Sequence, residues 1–251
     1  MPDRELSYIE TLVEKNHIDY YNRWVPTTVG DFEKALTQGD FRGMNYELRK
    51  NIAYSLQYLQ YLQLQLDELH LHSVIQKQLW KSYIIISMGI VEGLFYHLLK
   101  KSGNQTKTAW EETLRVSTNV YKEDGVNKKN EIITYRKLSS AKDAKMDFES
   151  MIAKVRSKHL LKLPQAAYPY IKELKEIRNK VHLFISKNDY DTDFNKLTSV
   201  DCYLARYVLY RVLKDEVFAP KLQGDIFEWL KLPNETVVSM TQVLNQRRAR
   251  Q

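Results

Sequence analysis

The sequence has 251 residues and a formal net charge of +7, and its hydrophobic (43%) and charged (27%) fractions are those of an ordinary globular protein. Its one cysteine, Cys202, excludes a disulfide within the chain and a zinc site built on cysteines. The scarcity of glycine (8) and proline (6) disfavours a turn-rich β architecture and favours long helices.

The charge and the apolar runs bear on partners and localisation. A basic balance is compatible with a polyanionic partner, RNA or DNA above all. The charged start, Met1 to Glu5, has no apolar run behind it and predicts no secretory signal. The longest apolar run, residues 83–99, falls short of the roughly 20 residues of a membrane span and predicts a buried core helix. We therefore expect a cytoplasmic protein without membrane association.

The N-terminal part predicts two helices. Residues 6–21 carry Ile9, Leu12 and Val13 near helical spacing, and Pro26 ends any continuation of that helix. Residues 31–36 predict a short second helix. Residues 1–42 are accordingly interpreted as an N-terminal helical extension.

Two long helices are predicted next. Residues 44–71 contain no glycine or proline and repeat apolar residues such as Ile52, Leu56 and Leu59 at helical spacing. Residues 74–101 are predicted to return antiparallel to them. The centre of this second helix is apolar on nearly all sides, which is typical of a helix in the middle of a bundle.

The periodicity changes after the second long helix. Residues 113–140 predict a small β-hairpin or loop inserted between helices. Helical patterns return over residues 145–161, from Pro164 to about residue 186, and over residues 199–218. Residues 219–251 are expected to form an amphipathic segment and a basic tail.

The predicted fold class is therefore all-α, a helical bundle of four to five long helices with a small insertion near residues 113–140. Residues 43–218 are assigned to this bundle. The sequence contains no phosphate-binding glycine loop, no dinucleotide fingerprint and no His-Glu-x-x-His, so we expect neither a metal nor a cofactor. Cys202 is expected to be a small buried core residue.

One group of residues could carry chemistry: Arg178, Asn179 and His182, late in a predicted amphipathic helix. Arg178 and His182 are four residues apart, which places them on one helical face. An imidazole can move a proton near neutral pH, and a guanidinium can hold a phosphate and stabilise the charge that develops on it. The alternative is that Arg178 pairs with a neighbouring carboxylate while His182 only packs near the helix end.

The segment from Leu174 to Phe184, with its Arg-Asn and following His, resembles the signature of HEPN domains, small helical proteins of prokaryotic defence and toxin–antitoxin systems. A second segment, Ser87 to Phe95, is similar to an earlier apolar HEPN helix with an embedded Ser and Glu. The order of helices also matches, over roughly residues 44–218.

The resemblance implies metal-independent RNA cleavage. His182 would act on the 2′-hydroxyl or the leaving oxygen, Arg178 would stabilise the phosphorane-like transition state, and Asn179 would orient the reacting groups. It further implies a homodimer and an antitoxin or other defence-system partner protein. HEPN nucleases usually have four to six residues between Arg and His, whereas this chain has three. The family includes inactive members, so a non-catalytic helical RNA-binding or protein-interaction module stays the alternative.

Glu92 lies in the most apolar predicted helix, where a carboxylate must find a partner or be protonated. One hypothesis is that it reaches Arg178 or His182 and holds them in place; the other is that it bonds to a local hydroxyl such as that of Tyr96 or Ser87. Further basic residues are candidates for contacts with nucleic acid. They are Lys180, Lys128, Lys129, Arg247 and Arg248.

Overall fold

The structure is a computed structural model that describes residues 25–180, 192–218 and 225–249. The α-helices in these ranges are α1 (Val29–Ala35), α2 (Tyr46–Glu68), α3 (Ser73–Lys101), α4 (Phe148–Ser157), α5 (Ala167–Asn179), α6 (Asp193–Lys196), α7 (Ser199–Leu213) and α8 (Asn234–Ala249). The strands are β1 (Lys107–Ser117), β2 (Tyr121–Glu123), β3 (Val126–Lys128) and β4 (Glu131–Asp143). Short 3₁₀ helices occupy Gly39–Phe41 and Glu228–Leu230.

The predicted all-α bundle of four to five helices is wrong. The described part of the chain has eight α-helices and is 59% helical, but 15% of it lies in two small antiparallel sheets. The physical reason is the insertion, whose Thr, Val, Ile, Tyr and Trp residues favour extended backbone. The fold is mixed, with helices around the core and a β-hairpin arm between α3 and α4.

The arm, residues 107–143, is longer than the insertion predicted at 113–140. Strands β1 and β4 pair antiparallel from Lys107↔Asp143 to Ser117↔Glu131, with two register shifts. The polar loop at its tip forms a second hairpin, β2–β3, around Asp124 and Gly125, which both have positive φ. Asp-Gly is a preferred two-residue hairpin turn, so this dipeptide was a signal that the prediction did not use. The arm's strands contact chiefly each other.

Helix α3 lies at the centre of the fold. It packs against α2, α4, α5, α6 and α7. The prediction that residues 83–99 form a buried core helix is confirmed, since residues such as Tyr83, Val91 and Phe95 are fully buried. Among the described residues, α3 is the one helix long and apolar enough to cross a membrane; most of that stretch is buried inside the protein, consistent with a soluble protein.

Both ends of the described chain join the same core. One cluster of buried apolar residues extends from Phe32 in α1 to Leu244 in α8. Part of the segment predicted as an amphipathic piece and basic tail, Asn234–Ala249, forms helix α8, which packs on α7. The first predicted helix, residues 6–21, lies outside the described residues.

The helices predicted over residues 145–161 and 199–218 are shorter in the structure, where they are α4 and α7. Helix α4 begins at Phe148 because Asp147 caps it, accepting a hydrogen bond from the Ser150 N–H at 2.6 Å. Helix α5 ends at Asn179, with Lys180 as its C-cap, and the predicted continuation to about residue 186 falls outside the described residues.

Candidate functional site

The candidate site is built where α5 crosses the middle of α3. One face of α5 is buried through Tyr168, Ile171 and Leu174. This packing places the last turn of α5 against α3. There the Arg178 guanidinium donates from Nη2 to Oε2 of Glu92. The first hypothesis for Glu92, contact with Arg178, therefore describes the arrangement in the structure.

A third element, α4, contributes an aromatic ring to this pair. The guanidinium carbon of Arg178 lies 5.9 Å from the centroid of the Phe148 ring, within the range of a cation–π interaction. Phe148 in turn packs edge-on against Phe95 of α3, with 6.1 Å between the ring centroids. The guanidinium is thus located by a carboxylate and a ring from two different helices.

An ion-pair cluster fastens α4 to α5 beside this ring. The Glu149 carboxylate binds Lys175 at 2.8 Å and also contacts Lys172. Hydrogen bonds from Lys172 and then Lys175 lower the pKa of Glu149, so this carboxylate keeps its charge to a lower pH than an unpaired glutamate does. Because Glu149 follows Phe148 directly, the cluster fastens the start of α4 to α5 at the residue next to the ring.

The pair is neither fully buried nor fully exposed. The side chains of Arg178 and Glu92 are 32% and 24% exposed. A ligand can therefore reach the guanidinium, while partial desolvation strengthens its electrostatic interactions relative to those in bulk water. A guanidinium in this setting can bind an anionic group such as a phosphate.

The remaining residues of the predicted site are placed less completely. Asn179 is exposed at the last position of α5, one residue from Arg178. His182 lies outside the described residues. Its expected alignment with Arg178 on one helical face therefore stays a prediction. The structure therefore brings together Arg178, Glu92 and Phe148.

Sequence reasoning missed Phe148 altogether. It was included in a predicted helix without a role, and it lies 30 positions before Arg178 along the chain. No local pattern connects the two residues, since their contact arises from the packing of α4 and α5.

Three of the five predicted nucleic-acid contacts have carboxylate partners. Lys128 at the tip of the arm pairs with Glu123 at 2.7 Å, and Lys129 lies 3.7 Å from Glu131. Arg247 donates to Asp201 and to the Thr198 hydroxyl, both at 2.8 Å, and so fastens α8 to the start of α7. The Arg248 side chain lies outside the described part of the chain. Lys180 is half-buried as the C-cap of α5.

Metal ligands and the single thiol are the other groups that could carry chemistry. Among the described residues, no group of three or more His, Cys, Asp or Glu side chains could hold a metal ion. Cys202 is buried, which confirms the prediction of a core residue, and burial raises the pKa of its thiol.

Comparison with protein-family models, curated proteins and solved structures finds no match to this chain. The resemblance to HEPN domains therefore rests on the two sequence segments and the order of predicted helices given above.

Proposed function

We propose that this protein is a metal-independent endoribonuclease of the HEPN type, acting on RNA in the cytoplasm. The observation that carries the proposal is the Glu92–Arg178 pair, which holds an accessible guanidinium beside Asn179 at the end of α5. Support also comes from the net charge of +7, which favours association with a polyanion.

The reaction is a transesterification followed by release of the product. The 2′-oxygen forms a bond to the adjacent phosphorus, the bond from phosphorus to the 5′-oxygen breaks, and the products are a 2′,3′-cyclic phosphate and a 5′-hydroxyl. His182 transfers a proton, either from the 2′-hydroxyl or to the departing 5′-oxygen. Arg178 stabilises the negative charge that builds on the phosphate oxygens.

Glu92 acts as a positioning residue in this proposal. A guanidinium has five N–H donors, and Glu92 accepts from the Nη2 group. Among the described residues no second acceptor binds these donors, which leaves them for a phosphate, while the carboxylate and the Phe148 ring restrict the orientation of the guanidinium. Because the guanidinium is already oriented before the reaction begins, it needs little reorganisation when charge develops in the transition state.

The proposal includes a homodimer in which two copies of the Arg178 motif face one cleft. Two guanidinium groups would raise the positive potential at the scissile phosphate. It also includes an antitoxin or other defence-system protein as the partner, an assignment supported by the resemblance.

The test is cleavage of RNA in EDTA by the wild-type protein, Arg178→Ala, His182→Ala and the matched control Arg156→Ala. Arg156 is an exposed arginine of α4 that bonds to Gln165, so its loss tests the effect of removing one positive charge. We expect cleavage by the wild type and the control, with 2′,3′-cyclic phosphate ends, and at least a hundredfold loss in the other two variants. Equal background cleavage by four folded proteins would overturn the proposal.

A second candidate is a non-catalytic helical module that binds RNA or a protein on the same scaffold. The observation that favours it is the same ion pair, because Glu92 compensates the charge of Arg178. This candidate predicts binding of RNA or of a protein without cleavage of RNA.

A further inference from the structure

A cavity of about 140 Å³ opens where the end of α3 meets the chain that leads into α2. We refer to it as the α3-end pocket. The residues that matter for its chemistry are Arg42, Asn45, Tyr96, His97, Lys100 and Lys101.

Lys101 and His97 build one wall of the pocket. The Lys101 ammonium donates to the Asp40 carboxylate at 3.0 Å and to the Asp40 and Arg42 carbonyl oxygens at 3.1 and 3.2 Å. His97 donates from Nε2 to the same Asp40 carbonyl at 2.9 Å. These bonds fix residues 40–42 against α3. They also compensate the charge of Lys101 within the protein.

Two cations of the pocket have no such compensation. Within the described ranges, no carboxylate pairs with the side chains of Arg42 or Lys100, and none is among the residues that line the cavity. The Lys100 ammonium lies over the ring of Tyr96, which also lines the pocket, at 6.0 Å from the ring centroid. The pocket therefore presents a net positive surface to solvent.

The start of α2 adds hydrogen-bond donors to this surface. Gly43, at φ +90°, turns the chain toward α2, and the side chain of the N-cap Asn45 makes no capping hydrogen bond. The first N–H groups of a helix have no acceptor within it, and the dipole of a helix of 23 residues favours an anion there.

We infer that the α3-end pocket binds a phosphate group of the RNA, a few nucleotides from the phosphate held by Arg178. Arg42 supplies a planar, bidentate donor, Lys100 a point charge, and the start of α2 its N–H groups. The choice of RNA as the source of the phosphate rests on the proposed function, whereas the affinity of the pocket for phosphate does not.

The placement of the pocket on α3 supports this assignment. Tyr96 and Lys100 follow Glu92 by one and two helical turns, so Lys100 is about 12 Å further along the helix axis. A single strand bound at Arg178 would reach the pocket within a few nucleotides. Its bases would pass the half-exposed ring of Tyr96, which offers a surface for stacking.

The test measures binding of a labelled 2′-O-methyl single strand, which lacks the attacking hydroxyl and is not consumed. The variant is Arg42→Ala with Lys100→Ala, both exposed positions. The control is Lys158→Ala with Lys196→Ala, which removes the same charge from exposed residues that do not line the pocket. We expect severalfold weaker binding by the pocket variant and a salt dependence shallower by about 0.7, the slope for one phosphate of a single strand.

A competition with inorganic phosphate identifies the ligand of the pocket. We expect phosphate to weaken RNA binding by the wild type and the control more than it does for the pocket variant. Equal RNA affinity and equal salt slope in the pocket variant and the control would overturn the inference. Loss of phosphate binding with RNA affinity unchanged would overturn the assignment to RNA.

Failure of the nuclease proposal and failure of the pocket assignment give different combinations of binding and cleavage results. If RNA binding depends on the pocket and wild-type protein does not cleave RNA in EDTA, the pocket assignment holds and the nuclease proposal fails. If cleavage depends on Arg178 and the pocket variant behaves as the control in binding and cleavage, the nuclease proposal holds and the pocket assignment fails.

Discussion

Arg178, in the last turn of α5, donates a hydrogen bond to Glu92, 86 residues earlier in the middle of α3. The pair joins the central helix of the fold to the helix that carries the candidate site. It also gives the one acidic side chain of the apolar stretch of α3 an opposite charge, which offsets part of the cost of removing a carboxylate from water.

A double-mutant cycle of Glu92→Ala and Arg178→Ala measures the strength of this pair. Because both side chains keep a quarter to a third of their exposure, we expect a coupling free energy of about 1 kcal/mol in urea unfolding. The matched control is the cycle for Lys162 and Glu216, an ion pair with more than two thirds of each side chain exposed, which should give a smaller coupling. Equal couplings in the two cycles would contradict the prediction.

His97 makes the stability of the fold depend on pH. Burial lowers the pKa of its imidazole below the ordinary value of 6.5, while the bond to Asp40 acts in the opposite direction and Lys101 adds to the lowering. Between the two pKa values the unfolded chain binds a proton that the folded protein does not. The free energy of unfolding should therefore fall as the pH drops through 6.5 toward the pKa of the folded state.

The measurement compares urea unfolding at about pH 7.5 and about pH 5.5 for the wild type and His97→Gln. Glutamine has an amide that can still donate to the Asp40 carbonyl but does not titrate. We expect a smaller loss of stability on acidification in the variant. A loss equal to that of the wild type would show that other groups account for the pH dependence.

Two glycines of α3 should respond in opposite ways to alanine. Gly89 is exposed, and a Cβ added there meets nothing within 4 Å, so Gly89→Ala should stabilise the helix by about 1 kcal/mol. A Cβ at Gly93 would lie 3.0 Å from Cδ1 of Leu48 and 3.6 Å from Cδ1 of Ile52, where α2 packs closely. The required shift should cancel or exceed the gain in helix propensity. Equal increases in the melting temperature of both variants would contradict this expectation.

Arg247 should act in folding rather than in contacts with RNA. Its guanidinium is bound to Asp201, which is only 6% exposed, and to Thr198. Arg247→Ala leaves that buried carboxylate without its cation and should lower the free energy of unfolding by about 1–2 kcal/mol. Arg211→Ala, at an exposed position of α7, is the matched control and should change it by less than about 0.5 kcal/mol. RNA affinity should be the same for both variants, and a selective loss in Arg247→Ala would show that this guanidinium contacts RNA.

The long helices were predictable because their signal is local. Apolar residues at helical spacing located α2 and α3 to within a few residues of their ends. The fold class was predicted wrongly because long helices elsewhere outweighed the extended pattern of residues 107–143. The Asp124-Gly125 turn and the β-branched and aromatic residues around it carried the information for a longer arm.

The sequence by itself determined which residue types were available for chemistry, and it singled out Arg178 and Glu92 by local context. Only the tertiary structure decided that these two side chains meet, that Phe148 lies beside them, and that Arg247 is used to fasten α8 to α7. The physical reason is that helical periodicity reports which face of an element is buried. Which elements face each other is decided by the packing of the whole core, since the partners are separated by tens of residues along the chain.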